Sequence, residues 1–312
     1  MEQTARARHP LLAQTEGVMR YGTGVLLVLG AGVLWSTMGL VIRQIDEAGT
    51  AAVMFWRSAG LLPVLAGFIA WRSGGRVIGP MIAAGRAGLI GGAGLVMAYA
   101  GAIYALQATT VASAVFLYSA APFFSAILGW VLLRERVAPA TWAAMALAGA
   151  GIFVMIGAGL DGGRMDGNIA ALISAMGFAI FTVALRWGHV SDMMPAVLIG
   201  GVMSMAAAGV LALMWGQTLA APPRDIAISM AMGAVTLAGG MVLYTLGSRA
   251  LAAAELTLIS SVENILAPIW VWVLLGETAA PTTLVGGAMV LASVMLNAVA
   301  GARRAAPAGV RP

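Results

Sequence analysis

Ten predominantly apolar runs of about twenty residues divide this chain of 312 residues, and a helix of that length crosses the hydrocarbon core of a bilayer. Within lipid every backbone polar group must be hydrogen-bonded inside the protein, so only helices and closed barrels cross it. The runs lack the polar and apolar alternation of barrel strands, and 61% of residues are apolar against 9% charged. The sequence therefore predicts an all-α membrane protein with ten transmembrane helices. The predicted spans are Gly22–Ile42, Ala51–Trp71, Ala84–Leu106, Ser113–Leu133, Ala140–Ala158, Gly167–Leu185, Pro195–Trp215, Ile226–Leu246, Leu256–Leu275 and Thr282–Val299.

An internal repeat organises these spans, because the apolar segment Ala112–Arg136 recurs half a chain later as Ala254–Thr278. Each copy ends near a glutamate, and Glu277 follows Glu135 by 142 positions. Each half holds five spans, an odd number, so the second half enters the membrane from the opposite side and the repeat is inverted. Inverted repeats are typical of secondary transporters, whose substrate site lies at the repeat interface. The predicted organisation is one transmembrane domain with a tail at 1–20, five-helix repeats at 21–160 and 161–300, and a tail at 301–312.

The positions of the arginines predict the orientation of the chain in the membrane, because cationic loops are kept on the cytoplasmic side. The chain has no lysine, so arginine is its only strongly basic side chain. With the N-terminus inside, thirteen arginines fall in inner segments, three in outer segments, and Arg57 lies within the second span. Both termini are therefore predicted to be cytoplasmic. The arginines sit in short connections between apolar runs and not in a polar patch, which argues against a nucleic-acid partner.

The sequence lacks the residues that several kinds of catalytic and metal chemistry require. Cysteine is absent, which excludes thiol nucleophiles, disulfides and thiolate metal sites. The two histidines, His9 and His189, lie in a tail and a loop, and no His-Glu-x-x-His pattern occurs. We therefore expect no enzymatic activity, no metal and no cofactor, with a small-molecule substrate and the lipid bilayer as partners.

Two charged residues lie more than five residues inside predicted spans, where charge is costly and usually marks a functional site. Glu263 is about eight residues into its span and either acts on the substrate or bonds across a helix interface with neighbours such as Asn264. Arg57 is a candidate for an ion pair or a gate. Its alternatives are snorkelling, pairing with Asp46 or Glu47, which we favour, or contact with a substrate carboxylate.

Aromatic residues inside the spans form the second group of candidates, because a ring with one polar atom can stack on a substrate and also hydrogen-bond it. Interfacial belts and core packing explain such residues as well, and rings at span ends fit a belt better. Mid-span rings are predicted to line the substrate cavity. The predicted substrate-binding residues are Trp35, Ser36, Tyr99, Tyr118, Tyr244, Glu263, Asn264 and Trp270.

The chain resembles members of the EamA-type drug/metabolite transporter superfamily over nearly its whole length. The resemblance is in several short motifs, in the chain length and in the repeat of five spans. The motifs are Leu34-Trp35-Ser36, Phe55-Trp56-Arg57, Ala121-Pro122-Phe123, Leu132-Leu133-Arg134-Glu135-Arg136, Ser261-Val262-Glu263-Asn264 and Leu275-Gly276-Glu277. Within that superfamily, Trp35-Ser36-Thr37 and the run from Glu255 to Glu277 look most like YddG-type exporters. Many relatives carry a proline where this chain has Asn264, so the kink of the ninth span is expected to be absent or shifted to Pro268.

The resemblance implies a secondary transporter of the bacterial cytoplasmic membrane. Its expected activity is export of amino acids, including aromatic ones, and related small metabolites by alternating access, with protons as a candidate coupling ion. The alternative is a multidrug exporter of lipophilic cations, for which Glu263 would be the counter-charge.

Overall fold

A computed structural model of the protein describes residues 21–159, 165–251 and 253–305. The regular elements in these residues are helical, and the model contains no β-strand there. The α-helices are α1 Tyr21–Ser36, α2 Met38–Ile42, α3 Thr50–Ser73, α4 Ile78–Ala108, α5 Val111–Tyr118, α6 Ala121–Leu133, α7 Pro139–Gly159, α8 Met165–Trp187, α9 Met194–Met214, α10 Pro223–Ala231, α11 Gly240–Gly247, α12 Ala253–Ser260, α13 Val262–Leu275 and α14 Pro281–Ala305. A π-helical segment, Met232–Gly239, joins α10 to α11.

Nine helical stretches of the described chain are long and apolar enough to cross a membrane, and α13 is a shorter apolar helix. This confirms an all-α membrane protein, and the stretches fall close to the predicted spans. The largest difference is at α4, which begins six residues before the predicted Ala84. Gly85 has φ +52° and ψ −143°, a conformation that suits glycine, so residues 78–84 form a separate short helix ahead of the spanning part.

Three spans are interrupted by short breaks, which the sequence did not predict. Hydroxyl groups at or beside two of the breaks bond back to carbonyls three or four residues earlier: Thr37 donates to Leu34 O at 2.7 Å, and Ser119 donates to Val115 O at 3.0 Å. Such bonds compete with the helical ladder and bend helices. The third break is at Ser261, between α12 and α13, and Ser261 follows Ser119 by 142 positions.

The ninth span has a break that the sequence did not predict, and the expected kink at Pro268 stays a prediction. The helix is interrupted at Ser261, before Asn264, so a break is present without a proline at that position. Pro268 lies inside α13 and does not end it. The break sets the start of α13 directly ahead of Glu263, which therefore lies in the first turn of that helix.

Small residues bring the two halves of the chain into close contact between α4 and α8. A Cβ atom on Gly94 would lie 2.7 Å from the Gly177 carbonyl oxygen, and one on Gly101 would lie 2.6 Å from the Ala170 carbonyl oxygen. Only glycine permits backbones to approach this closely, which is a usual way for helices to associate in lipid. The glycine-rich stretch of the third span is therefore a packing surface.

Candidate functional site

Four residues from three helices form an aromatic cluster: Trp35 and Ser36 at the end of α1, Tyr244 in α11 and Trp270 in α13. The Trp270 indole donates a hydrogen bond to Ser36 Oγ at 2.9 Å, and Ser36, which is fully buried, donates to Val33 O at 2.7 Å. The rings of Trp35 and Tyr244 are 5.5 Å apart and tilted by 40°. The cluster thus joins residues of the first half of the chain to residues of the second half.

Gly240, at the start of α11, determines where the Trp35 ring lies. A Cβ atom there would lie 2.7 Å from Trp35 Cδ1, so the indole packs directly on the helix backbone. The buried Trp35 Nε1 has no hydrogen-bond acceptor among the residues that the structure describes. A buried N–H without an acceptor is costly, which makes this indole a candidate donor to a substrate.

Glu263 lies near this cluster, on the side of α13 that faces α1. Gly32 of α1 packs on the start of α13, since a Cβ atom on it would lie 2.8 Å from Val262 Cγ1 and 3.9 Å from the Glu263 nitrogen. Glu263 precedes Trp270 by seven residues, two helical turns, so both share one face of α13. Glu263 and the adjacent Asn264 are half-buried.

An arginine cluster lies on the neighbouring helices and consists of Arg57 in α3, Tyr99 in α4 and Tyr118 in α5. The Arg57 guanidinium carbon stands 4.3 Å from the centroid of the Tyr99 ring, a cation–π contact, and Arg57 is 2% exposed. Tyr118 lies within electrostatic range of Arg57 and donates to Ala102 O at 3.0 Å. The structure therefore brings three of the predicted residues together in a second group.

One helical stretch contacts both clusters. Gly233, in the π-helical segment, packs against the backbone carbonyl of Arg57, and Gly240, seven residues later, packs against the Trp35 ring. Seven residues correspond to about 10 Å along a helix. A π-helical turn inside an α-helix often occurs at a functional site, and this one lies between the two clusters.

The favoured pairing of Arg57 with Asp46 or Glu47 is wrong. Asp46 forms its ion pair with Arg224 instead, at the exposed end of the molecule. Four ion pairs join described residues to one another, and none of them includes Arg57 or Glu263. Arg57 and Glu263 therefore form no ion pair with another residue in the described part of the chain.

All four of these ion pairs join the two halves of the chain, and two of them, not predicted from the sequence, belong to larger hydrogen-bond networks. In the Arg43 network, Arg43 binds both carboxylate oxygens of Glu277, with Nε–Oε2 at 2.8 Å and Nη2–Oε1 at 3.3 Å. It also donates to Leu106 O at 2.6 Å and Thr109 O at 2.7 Å, and Glu277 accepts from the Val111 N–H at 2.7 Å. This network holds the end of α2, the end of α4 and the start of α5 to the loop after α13.

The Arg186 network is the counterpart, with Arg186 from the second half and Glu135 from the first. Nη1 of Arg186 lies 2.7 Å from Glu135 Oε2, and Nη2 donates to Ser125 O at 3.1 Å. Its side chains are more exposed, at 45% and 40%, than Arg43 and Glu277, at 24% and 19%. A charge comparison between repeats could have revealed both pairs, because Arg186 follows Arg43 by 143 positions.

The two glutamates are positioned by the same helix ending. Arg134 and Gly276 end α6 and α13 in the left-handed conformation, with φ of 55° and 69°. The next residue then donates its backbone N–H six positions back, from Glu135 to Gly129 O at 3.2 Å and from Glu277 to Val271 O at 3.1 Å. A left-handed residue at the end of a helix turns the chain sharply, and here it places each glutamate beside its helix end.

A shallow apolar hollow of about 570 Å³ lies elsewhere, along α9 and the segment after it. Its lining includes Gly209 and Thr218 and none of the predicted site residues. The hollow therefore gives no reason to move the candidate site away from the two clusters.

Comparison with known proteins gives the family. The model of the EamA-like transporter family matches the chain twice, over residues 22–157 and 165–299. No curated protein matches significantly. A solved crystal structure with 16% sequence identity superposes with a TM-score of 0.59, covering 91% of this chain and 99% of the other, which supports the fold alone. The chain therefore belongs to the EamA-like family of the drug/metabolite transporter superfamily and is a multi-pass membrane transporter of a small-molecule substrate.

Proposed function

We propose that this protein is a secondary transporter of the bacterial cytoplasmic membrane that exports amino acids, including aromatic ones, and related small metabolites. The observation that carries the proposal is the position of Glu263 near an aromatic cluster that spans both halves of the chain. A carboxylate attracts the ammonium group of an amino acid, and Trp35 and Tyr244 offer ring faces to an apolar side chain. Glu263 is also the candidate site for an exchanged proton.

The same arrangement suits a lipophilic cation, so multidrug export is the second candidate. Cations bind over aromatic faces, and Glu263 would then be the counter-charge for a permanently charged substrate. The two candidates differ in one chemical requirement, since only an amino acid offers a carboxylate in addition to its cationic group.

We propose that the chain is built as five helices plus five helices in an inverted repeat, with both termini in the cytoplasm. Three observations support this arrangement: the breaks at Ser119 and Ser261, the matching caps before Glu135 and Glu277, and the two ion-pair networks. Each glutamate pairs with an arginine from the other half of the chain. In the proposed topology the Arg43 network is outside and the Arg186 network is inside.

This placement gives the networks a role in alternating access. A transporter of this type opens its site first on one side of the membrane and then on the other, by movement of one repeat against the other. Opening to the outside separates the helices that Arg43 and Glu277 join, and opening to the inside separates those that Arg186 and Glu135 join. The transport cycle would then break and re-form the two networks in turn.

The topology is testable by labelling of single cysteines, since the chain has none of its own. Cysteine at Thr218, an exposed position in the proposed outer loop, should react with an impermeant thiol reagent added to intact cells. Cysteine at Gly79, where the added side chain meets nothing within 4 Å, should react only after the cells are opened. Labelling of Gly79→Cys alone in intact cells would reverse the orientation.

The function is testable with purified protein in liposomes. We expect wild-type protein to exchange radiolabelled L-phenylalanine across the membrane at least ~10-fold faster than protein-free liposomes, and faster with a proton gradient imposed. Radiolabelled tetraphenylphosphonium serves as the parallel probe for the second candidate. Transport of tetraphenylphosphonium with no transport of any amino acid tested would replace amino-acid export by multidrug export.

A further inference from the structure

Arg57 presents two hydrogen-bond donors that the described part of the chain leaves without acceptors. Its Nε and Nη2 atoms are buried and have no hydrogen-bond partner there, and the whole residue is 2% exposed. Arg57 is the seventh residue after the first residue of α3, about 10 Å along a spanning helix. A guanidinium at this depth is costly unless its charge and its donors find partners.

The contacts that Arg57 does make leave one edge of its guanidinium free. The guanidinium carbon lies 4.3 Å from the centroid of the Tyr99 ring, a cation–π contact that offsets part of the burial cost, while Nε and Nη2 still have no hydrogen-bond acceptor in the described part of the chain. The packing of α3 on the π-helical segment uses the Arg57 backbone carbonyl against Gly233 and does not require the charged group. Structural packing thus accounts for the backbone of Arg57 and not for its donors.

Arg43 in the same chain shows what such an edge binds. Its Nε and Nη2 atoms hold the two oxygens of the Glu277 carboxylate, at 2.8 Å and 3.3 Å. The same two atoms are the ones without partners in Arg57. This two-point contact matches the spacing of carboxylate oxygens and is a preferred mode of arginine recognition.

We infer that Arg57 is a substrate-binding residue that takes the carboxylate of the transported compound on its Nε and Nη2 edge, with the Tyr99 ring in cation–π contact with the guanidinium. The inference rests on the proposed transport function and narrows it, since the substrate must carry a carboxylate. Tyr99 is then a positioning residue, because its ring face is covered by the guanidinium. The site selects amino acids and organic acids against amines of the same size.

Three probes with similar carbon skeletons test the carboxylate and the ammonium group separately. They are L-phenylalanine, phenethylamine, which lacks the carboxylate, and 3-phenylpropanoate, which lacks the ammonium group. We expect L-phenylalanine and 3-phenylpropanoate to raise the Tm of the purified wild-type protein in detergent and phenethylamine to leave it unchanged. In liposomes, the two carboxylates should compete for transport at least ~10-fold better than the amine. Equal effects of phenethylamine would overturn the inference.

Arg57→Gln tests the residue itself, with Arg76→Gln as the control, since Arg76 is exposed in the loop after α3. In Arg57→Gln we expect transport to fall at least ~10-fold and the Tm shift by 3-phenylpropanoate to vanish. The Tm of the unliganded variant should equal or exceed that of wild type, because a buried charge without an acceptor has been removed. Arg57→Lys should restore part of the Tm shift, as it keeps the charge but not the planar edge.

The outcomes distinguish this inference from the proposed function. The inference is overturned if 3-phenylpropanoate raises the Tm of Arg57→Gln and Arg57→Lys as much as that of wild type. A large fall in the Tm of unliganded Arg57→Gln would then assign Arg57 a structural role. Binding of 3-phenylpropanoate that depends on Arg57, without transport of any amino acid, would support the inference and contradict amino-acid export.

Discussion

Glu263→Gln is expected to reduce transport of L-phenylalanine at least ~10-fold while the Tm of the purified protein stays within a few degrees of wild type. Glutamine keeps the size and most of the hydrogen-bonding capacity of glutamate but neither ionises nor carries a proton. In the proposed mechanism this carboxylate holds the ammonium group of the substrate or an exchanged proton, and both roles require ionisation. The pH dependence of transport should also become flatter, since the titrating group is lost.

Two further variants show whether the effect comes from the charge of Glu263 or from its packing. Glu263→Ala removes the side chain, and its Tm should fall by more than that of Glu263→Gln if the carboxylate also stabilises the start of α13. Glu255→Gln makes the same chemical change in α12, where Glu255 accepts a hydrogen bond from Tyr21, and should leave the transport rate unchanged. A Glu263→Gln protein with wild-type rate and an unaltered pH profile would return Glu263 to a structural role.

The spans were predictable because one physical requirement, the thickness of the hydrocarbon core, fixes both their length and their composition. The breaks were not predictable on the same basis. Thr37, Ser119 and Ser261 are small and compatible with a helix in lipid, and in the ninth span the expected kink was either absent or shifted to Pro268. Whether a hydroxyl bends a helix depends on where its hydrogen bond goes, which only the packed structure decides.

The candidate site also has a part that could be predicted from the sequence and a part that could not. Polar and aromatic residues inside a span are visible in the sequence, and in the structure Trp270 contacts Ser36 and Tyr244 contacts Trp35. Their use by a substrate stays a prediction. The partner of a charge depends on how helices rotate and tilt, so Asp46, which is near Arg57 in sequence, pairs with Arg224 at the surface. For the same reason the sequence did not predict the Arg43–Glu277 and Arg186–Glu135 pairs, although both glutamates mark the repeat.

In the proposed inverted repeat, the two networks would hold one end of the molecule closed while the other end opens. Each network connects the two halves of the chain at a helix end, and the proposed topology puts them on opposite sides of the membrane. The Arg43 network has the greater number of hydrogen bonds and the less exposed charges, so it is the stronger connection in this conformation. The structure is therefore expected to resist opening on the Arg43 side more than on the Arg186 side.

Arg43→Ala is expected to lower the Tm by several degrees and transport at least ~10-fold. Loss of one partner leaves the Glu277 carboxylate and the carbonyls of Leu106 and Thr109 without their donor, and breaking a largely buried pair costs about 3 kcal/mol. Arg224→Ala is the matched control, because the Arg224–Asp46 pair is exposed and such pairs contribute less than about 1 kcal/mol. Thermal melts in detergent and exchange assays in liposomes measure both effects. If Arg43→Ala behaves like Arg224→Ala in both assays, the Arg43 network neither stabilises this conformation nor takes part in the transport cycle.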